Sequence, residues 1–97
     1  MNANTVRGEA IVTLAGAERR LCLTLGALAE IEGALGLEGP GALAERMRAL
    51  SARDLTAVLA ALLRGGGEHA LAGELDRAAV TPVEAADAVA AAFQASV

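Results

Sequence analysis

The side chains in this sequence that could carry out chemistry are few: one histidine, His69, one cysteine, Cys22, and scattered carboxylates. A general base or metal site built on His69 needs a second ligand or an orienting partner. No other histidine exists, and Cys22 lies far away along the chain. A reactive thiolate at Cys22 needs a cation or a base beside it. Arg20, two residues away on the same strand face, is the one neighbour that could lower the thiol pKa; otherwise Cys22 reads as a small half-buried filler. Glu30 and Glu32 look like an acid pair, but two steps along a helix turn the chain by about 200°, so they face opposite sides. Glu84 and Asp87 do share a face, in a first helical turn where acids are favoured on dipole grounds alone. Gly65-Gly66-Gly67 lacks the lysine and the preceding strand of a phosphate-binding loop, and reads as a flexible helix stop. These residues make no catalytic, metal or cofactor constellation. The sequence is read as a non-enzyme with no small-molecule substrate.

With no reactive centre to position, the elements are those of a binding module. A length of 97 residues predicts a single domain spanning 1–97. A hydrophobic fraction of 55% excludes disorder. Much of that fraction is alanine, and Phe93 is the only aromatic residue. Alanine favours helix but buries little area, so a thin core is expected, with surface left to share. All eight basic residues are arginine, against twelve acids, for a net charge of −4. That balance argues against a nucleic-acid partner. A lone cysteine permits no intramolecular disulfide. The first residues lack the apolar region of a signal peptide, and no apolar run approaches the ~20 residues of a membrane span. A cytoplasmic protein without a membrane partner is expected.

Residues 1–6 read as a flexible lead-in and 7–24 as a β-hairpin. Ala10, Val12 and Leu14 alternate onto one face with Leu21 and Leu23; Glu9, Ile11 and Thr13 share the other with Arg20 and Cys22. Ala15-Gly16-Ala17-Glu18 is the connection. Residues 25–95 are predicted to hold four to five short helices. Thr24 caps the first, over 25–35, with Leu28, Ile31 and Leu35 in one stripe and Gly36 as the stop. A second covers 42–50, with Leu43, Met47 and Leu50 in register. Ser51-x-x-Asp54 resembles a capping box for the strongest helix, whose stripe is Leu55, Val58, Leu59 and Leu62. A weak helix over 68–79 carries Leu71 and Leu75. Thr81-Pro82-Val83-Glu84 is a full start signal for the last helix, with Ala86, Val89, Ala90 and Phe93 inward. The fold class is α+β and predominantly helical, with the strands segregated at one end.

A two-stranded hairpin is marginal by itself. The Leu28/Ile31/Leu35 stripe is its expected cover, and its open edges invite another strand. The hairpin is therefore expected to make a homo-oligomer through Arg7, Glu9, Ile11, Thr13, Arg20 and Cys22. For an amphipathic helical partner the candidate contacts are Leu43, Met47, Leu50, Leu62 and Leu71.

The order of these features carries a resemblance. RGEAIVTLAGAERRLCLTLGALAEIEGALG (7–36), LSARDLTAVLAALLRGGGE (50–68) and TPVEAADAVAAAF (81–93) resemble, in turn, the N-terminal half, middle helix and last helix of tail proteins encoded in gene transfer agents, the phage-like particles that package host DNA. The resemblance implies a part in building a long non-contractile tail. One implied role is a tail assembly chaperone that holds the tape-measure protein in the bacterial cytoplasm until tube subunits polymerise around it. The alternative is a structural tail tube component retained in the particle. The chaperone is the preferred reading, because tube rings are built on larger sheets than this chain offers. A third reading, a small helical DNA-binding regulator, rests on the helix pair over 51–79. Its second helix carries Glu68, Glu74 and Asp76, which would repel phosphate.

Overall fold

Alternating apolar and polar residues from Glu9 onward form an antiparallel hairpin in the computed structural model, which describes residues 8–96. Strands β1 (Glu9–Leu14) and β2 (Ala17–Cys22) pair in regular register, from Leu14 opposite Ala17 to Glu9 opposite Cys22. The two-residue turn has both central residues at positive φ, Ala15 at 52° and Gly16 at 81°. This is the type I′ geometry whose twist matches that of the strands. The strands are shorter than the predicted 7–24 hairpin, and β2 begins at Ala17 because the tight turn needs only two residues. Arg7 and the lead-in lie outside the described residues.

Among the described residues five helices follow: α1 (Leu25–Leu35), α2 (Pro40–Arg46), α3 (Ala52–Gly65), α4 (His69–Ala72) and α5 (Pro82–Ala95). Their starts follow the capping chemistry. The Thr24 hydroxyl accepts from the Ala27 amide, and Ser51 from the Asp54 amide. Thr81 and Glu84 close a reciprocal box at 3.1 and 3.0 Å. At α3 the box is only half made. The Asp54 carboxylate turns instead to Arg46, at 3.0 and 3.2 Å, and Arg46 also donates to the Leu35 carbonyl at the end of α1. One guanidinium thus ties α1, α2 and α3 together.

Two predicted helices are shorter than expected. The helix predicted over 42–50 ends at Arg46, where amides of Arg48 and Ala49 bond three residues back and tighten the chain into a turn. Leu50 therefore lies outside it. The helix predicted over 68–79 is a single turn, closed at Gly73 and followed by further turns. Glycine there weakens propagation past one turn.

The cover of the hairpin also differs from expectation. Helices α3 and α5 pack on the strands, and α1 packs on α3. The α3 stripe continues through Ala60, Ala61, Leu62 and Leu63, all buried, so this helix is the centre of the core. On α5 the inward set is Ala85, Ala88, Val89 and Ala92. Ala86 and Ala90 are exposed, and Phe93 is half-buried. The inward arc lies opposite Glu84, Asp87 and Gln94, the polar positions that fix the helix's rotation when nearly every other residue is alanine.

Ala15 is the one described non-glycine residue at positive φ, a region that disfavours a Cβ. Replacing it by asparagine, which tolerates that conformation and suits this turn type, is expected to raise stability by about 0.5–1 kcal/mol, measured by urea denaturation.

Candidate functional site

The hairpin presents two different edges. Its two-residue turn makes Leu14/Ala17, Val12/Arg19 and Ala10/Leu21 the hydrogen-bonded pairs, so alternate residues turn their backbone polar groups outward. Along β2 these outward groups are covered at Arg20 and at the Cys22 carbonyl. The Arg20 amide donates to Glu68 at 2.9 Å, and the other carboxylate oxygen of Glu68 lies 3.9 Å from the Arg19 guanidinium. A Cβ on Gly66 would collide with the Arg20 carbonyl, and one on Gly65 with the Cys22 carbonyl. Gly67, at φ 89°, completes a Schellman stop: its amide bonds to the Arg64 carbonyl, and that of Glu68 to the Leu63 carbonyl. The glycine run is thus a close-packed seat for the hairpin as well as a helix stop, not the flexible terminus expected.

The outer face of the hairpin gathers Glu9, Ile11, Thr13, Glu18, Arg20 and Cys22, five of them among the residues proposed for self-association. Ile11 is half-buried, and Arg20 pairs with Glu9 across the strands at 3.6 Å. Cys22 stands opposite Glu9. Burial, and then the Glu9 charge, push its thiol pKa up. This reverses the expectation that Arg20 lowers it: burial disfavours the thiolate, and the Glu9 charge adds to that while Arg20 is paired with Glu9.

A second surface lies in the helical half. A cleft of about 270 Å³ opens between α3, the turn before α5 and the start of α5. Leu55, Leu59, Leu75, Val80 and Ala85 give it an apolar lining, and Ser51, Thr56 and Thr81 add hydroxyls. Of the five residues suggested for a helical partner, Leu50 lines this cleft and Met47 is half-buried. Leu43, Leu62 and Leu71 are buried in the core. Of the other cleft residues, Leu55 and Leu75 read from the sequence as helix stripe positions and Val80 carries no signal; none is among the expected partner contacts. The half-buried state of all three marks the cleft, and a helix stripe does not distinguish it from full burial.

The remaining reactive types are dispersed. His69 is exposed at the start of α4. Glu30 pairs with Arg64, and Glu84 is held in the α5 cap. Among the described residues no group of three or more His, Cys, Asp or Glu side chains could hold a metal. Among the described residues no helix is long and apolar enough to cross a membrane.

A family model described as phage tail tube protein, GTA-gp10, matches residues 7–97. The chain belongs to that family. The match takes in the hairpin, the glycine seat and the cleft, so both surfaces are features of a phage-tail or gene-transfer-agent protein, a structural class rather than an enzymatic one. Neither a curated protein nor a solved structure gives a significant match.

Two measurements check this geometry. Gly66→Ala forces a methyl into a backbone carbonyl and is expected to cost about 2–3 kcal/mol. Gly33→Ala, with open space around its Cβ on helix α1, is expected to stabilise by about 0.5–1 kcal/mol. The second concerns Asp54. Burial opposes its charge, but the Arg46 guanidinium, helped by Ser51, outweighs it and holds the carboxyl below its usual pKa. A depressed folded-state pKa contributes stability above the ordinary carboxylate range and loses it as pH falls through the folded value. Asp54→Asn is therefore expected to lower stability at pH 7 and to flatten its decline below about pH 4, read by denaturation at both pH values.

Proposed function

We propose that this protein is a tail assembly chaperone that binds the tape-measure protein in the bacterial cytoplasm before the tail tube closes around it. The observation that carries the reading is the apolar cleft beside α3. It has the lining an amphipathic helix needs, with leucine, valine and alanine below and hydroxyl groups among them. Leu50, Leu55, Leu75 and Val80 would take the client's apolar side chains. Residues at this cleft are already partly withdrawn from water: Leu55 sits on the central helix, and Leu50, Leu75 and Val80 lie in the connections that flank it.

A second reading is favoured by the family's own description: a structural component of the tail tube. A tube wall depends on sheet that continues between subunits, and this chain brings two strands of six residues. That modest sheet supports the chaperone over the wall.

Co-expression with a tape-measure protein is expected to yield a soluble complex, with the small protein absent from finished particles. Ala52 and Thr56 line the cleft and are exposed. Thr56→Arg should fill it at a stability cost within about 0.5 kcal/mol and weaken the complex about tenfold or more. Stoichiometric retention in purified tails, without a tape-measure complex, would establish the tube component instead.

A further inference from the structure

We propose that strand β1 pairs antiparallel with β1 of a second copy, about a two-fold axis at Ile11, to make one four-stranded sheet from two chains. The outward amides and carbonyls of Glu9, Ile11 and Thr13 face away from β2. Among the described residues no backbone or side-chain hydrogen bond reaches those of Ile11 or Thr13. On β2 the equivalent groups of Arg20, and the Cys22 carbonyl, are covered by Gly66, Glu68 and Gly65. One edge of the same small sheet is closed and the other is bare. The bare edge also lacks the usual protections: β1 contains no proline, no lysine and no bulge.

The identity of the occupant follows from the strand's own sequence. With Ile11 opposite Ile11 of the second copy, Glu9 falls opposite Thr13, and Ala10 opposite Val12 on the helix-covered face. No like charges meet, and apolar residues lie opposite apolar ones on both faces. An axis at Glu9 would set two carboxylates against each other. An axis at Thr13 would run the strands into the Ala15-Gly16 turn. The central register is the one that uses Glu9 to Thr13 in full. It also lifts a marginal two-stranded sheet to four strands.

The test uses the full chain. Sedimentation equilibrium is expected to show a dimer. The Ile11 amide takes no part in the hairpin's own ladder, so Ile11→Pro removes an edge donor and leaves the β1–β2 ladder intact. It should weaken dimerisation by about tenfold or more with an unchanged helical circular dichroism spectrum. Register is read by oxidation in a Cys22→Ser background. Ile11→Cys places two thiols across the axis, within the span of a disulfide, and should cross-link, whereas Thr13→Cys should not. A monomeric wild-type chain, a dimer indifferent to Ile11→Pro, or equal cross-linking at both positions would overturn the proposal. A monomer that loses a tail-protein partner on Ile11→Pro would overturn it too, assigning the edge to a foreign strand. Where Ile11→Pro fails to fold, the cross-linking pair decides alone.

Discussion

Everything in this fold depends on how closely the end of α3 approaches strand β2. Two strands of six residues have too little ladder to persist unaided, so they must be held by something outside the sheet. Gly65 and Gly66 let the helix backbone come directly against the carbonyls of Cys22 and Arg20, a distance no side chain would permit. That approach brings Leu21 down onto the α3 leucines, where it is wholly buried, and puts Glu68 in reach of the Arg20 amide. The contact fixes the hairpin's height and tilt together, and it also decides which edge faces outward. With β2 committed to the helix terminus, only β1 is left to face another chain.

The rest of the core is built around a shortage of large side chains. Besides α3, its inward residues are mostly single leucines and alanines. The α5 face offers Ala85, Ala88, Val89 and Ala92. Small residues allow close helix packing, but each removes little apolar area from water. Cohesion is therefore shared with specific polar ties, the Arg46 bridge to Leu35 and Asp54 and the Arg64–Glu30 pair. No buried side-chain polar atom among the described residues lacks a partner, so the thin core carries no added desolvation cost. Its consequence is at the surface. Leu50, Leu55, Leu75 and Val80 touch the core without being enclosed by it.

What could be read in the sequence follows the range of the interactions involved. Caps at Thr24, Ser51 and Thr81, the stop at Gly36 and the alternation of the hairpin are local, and each appears where the residues indicate. What could not be read is which element covers which. Leu28, Ile31 and Leu35 form a clear stripe of their own, yet α1 packs on α3 rather than on the strands, because only α3 ends in glycines that admit a strand backbone. Three consecutive glycines signal a stop. Whether they also signal a close approach depends on a strand more than forty residues away. On α5 the difficulty is of another kind: with alanine at most positions the apolar pattern has no phase, and only Glu84, Asp87 and Gln94 set it. Of the proposed contact residues, the outer hairpin face was legible because strand alternation assigns faces outright. The cleft was not, since partial burial is a property of packing and not of periodicity.

The two surfaces are held apart by the same helix that joins them. The cleft follows α3 from its cap at Ser51 to Leu59, and Gly65 meets the hairpin at the helix's end. Ten helical steps from Leu55, at the middle of the cleft, to Gly65 put about 15 Å between the two contacts. A helix lodged in the cleft would leave the β1 edge untouched, and strand pairing at β1 would leave the cleft open. A chain with one sticky surface can be either assembled or occupied. With two, at opposite ends of a rigid element, a dimer presents a pair of clefts while remaining a dimer. A long helical client with repeated apolar faces is the kind of partner that gains from such a pair, because holding it at one cleft raises the effective concentration of its next segment at the other.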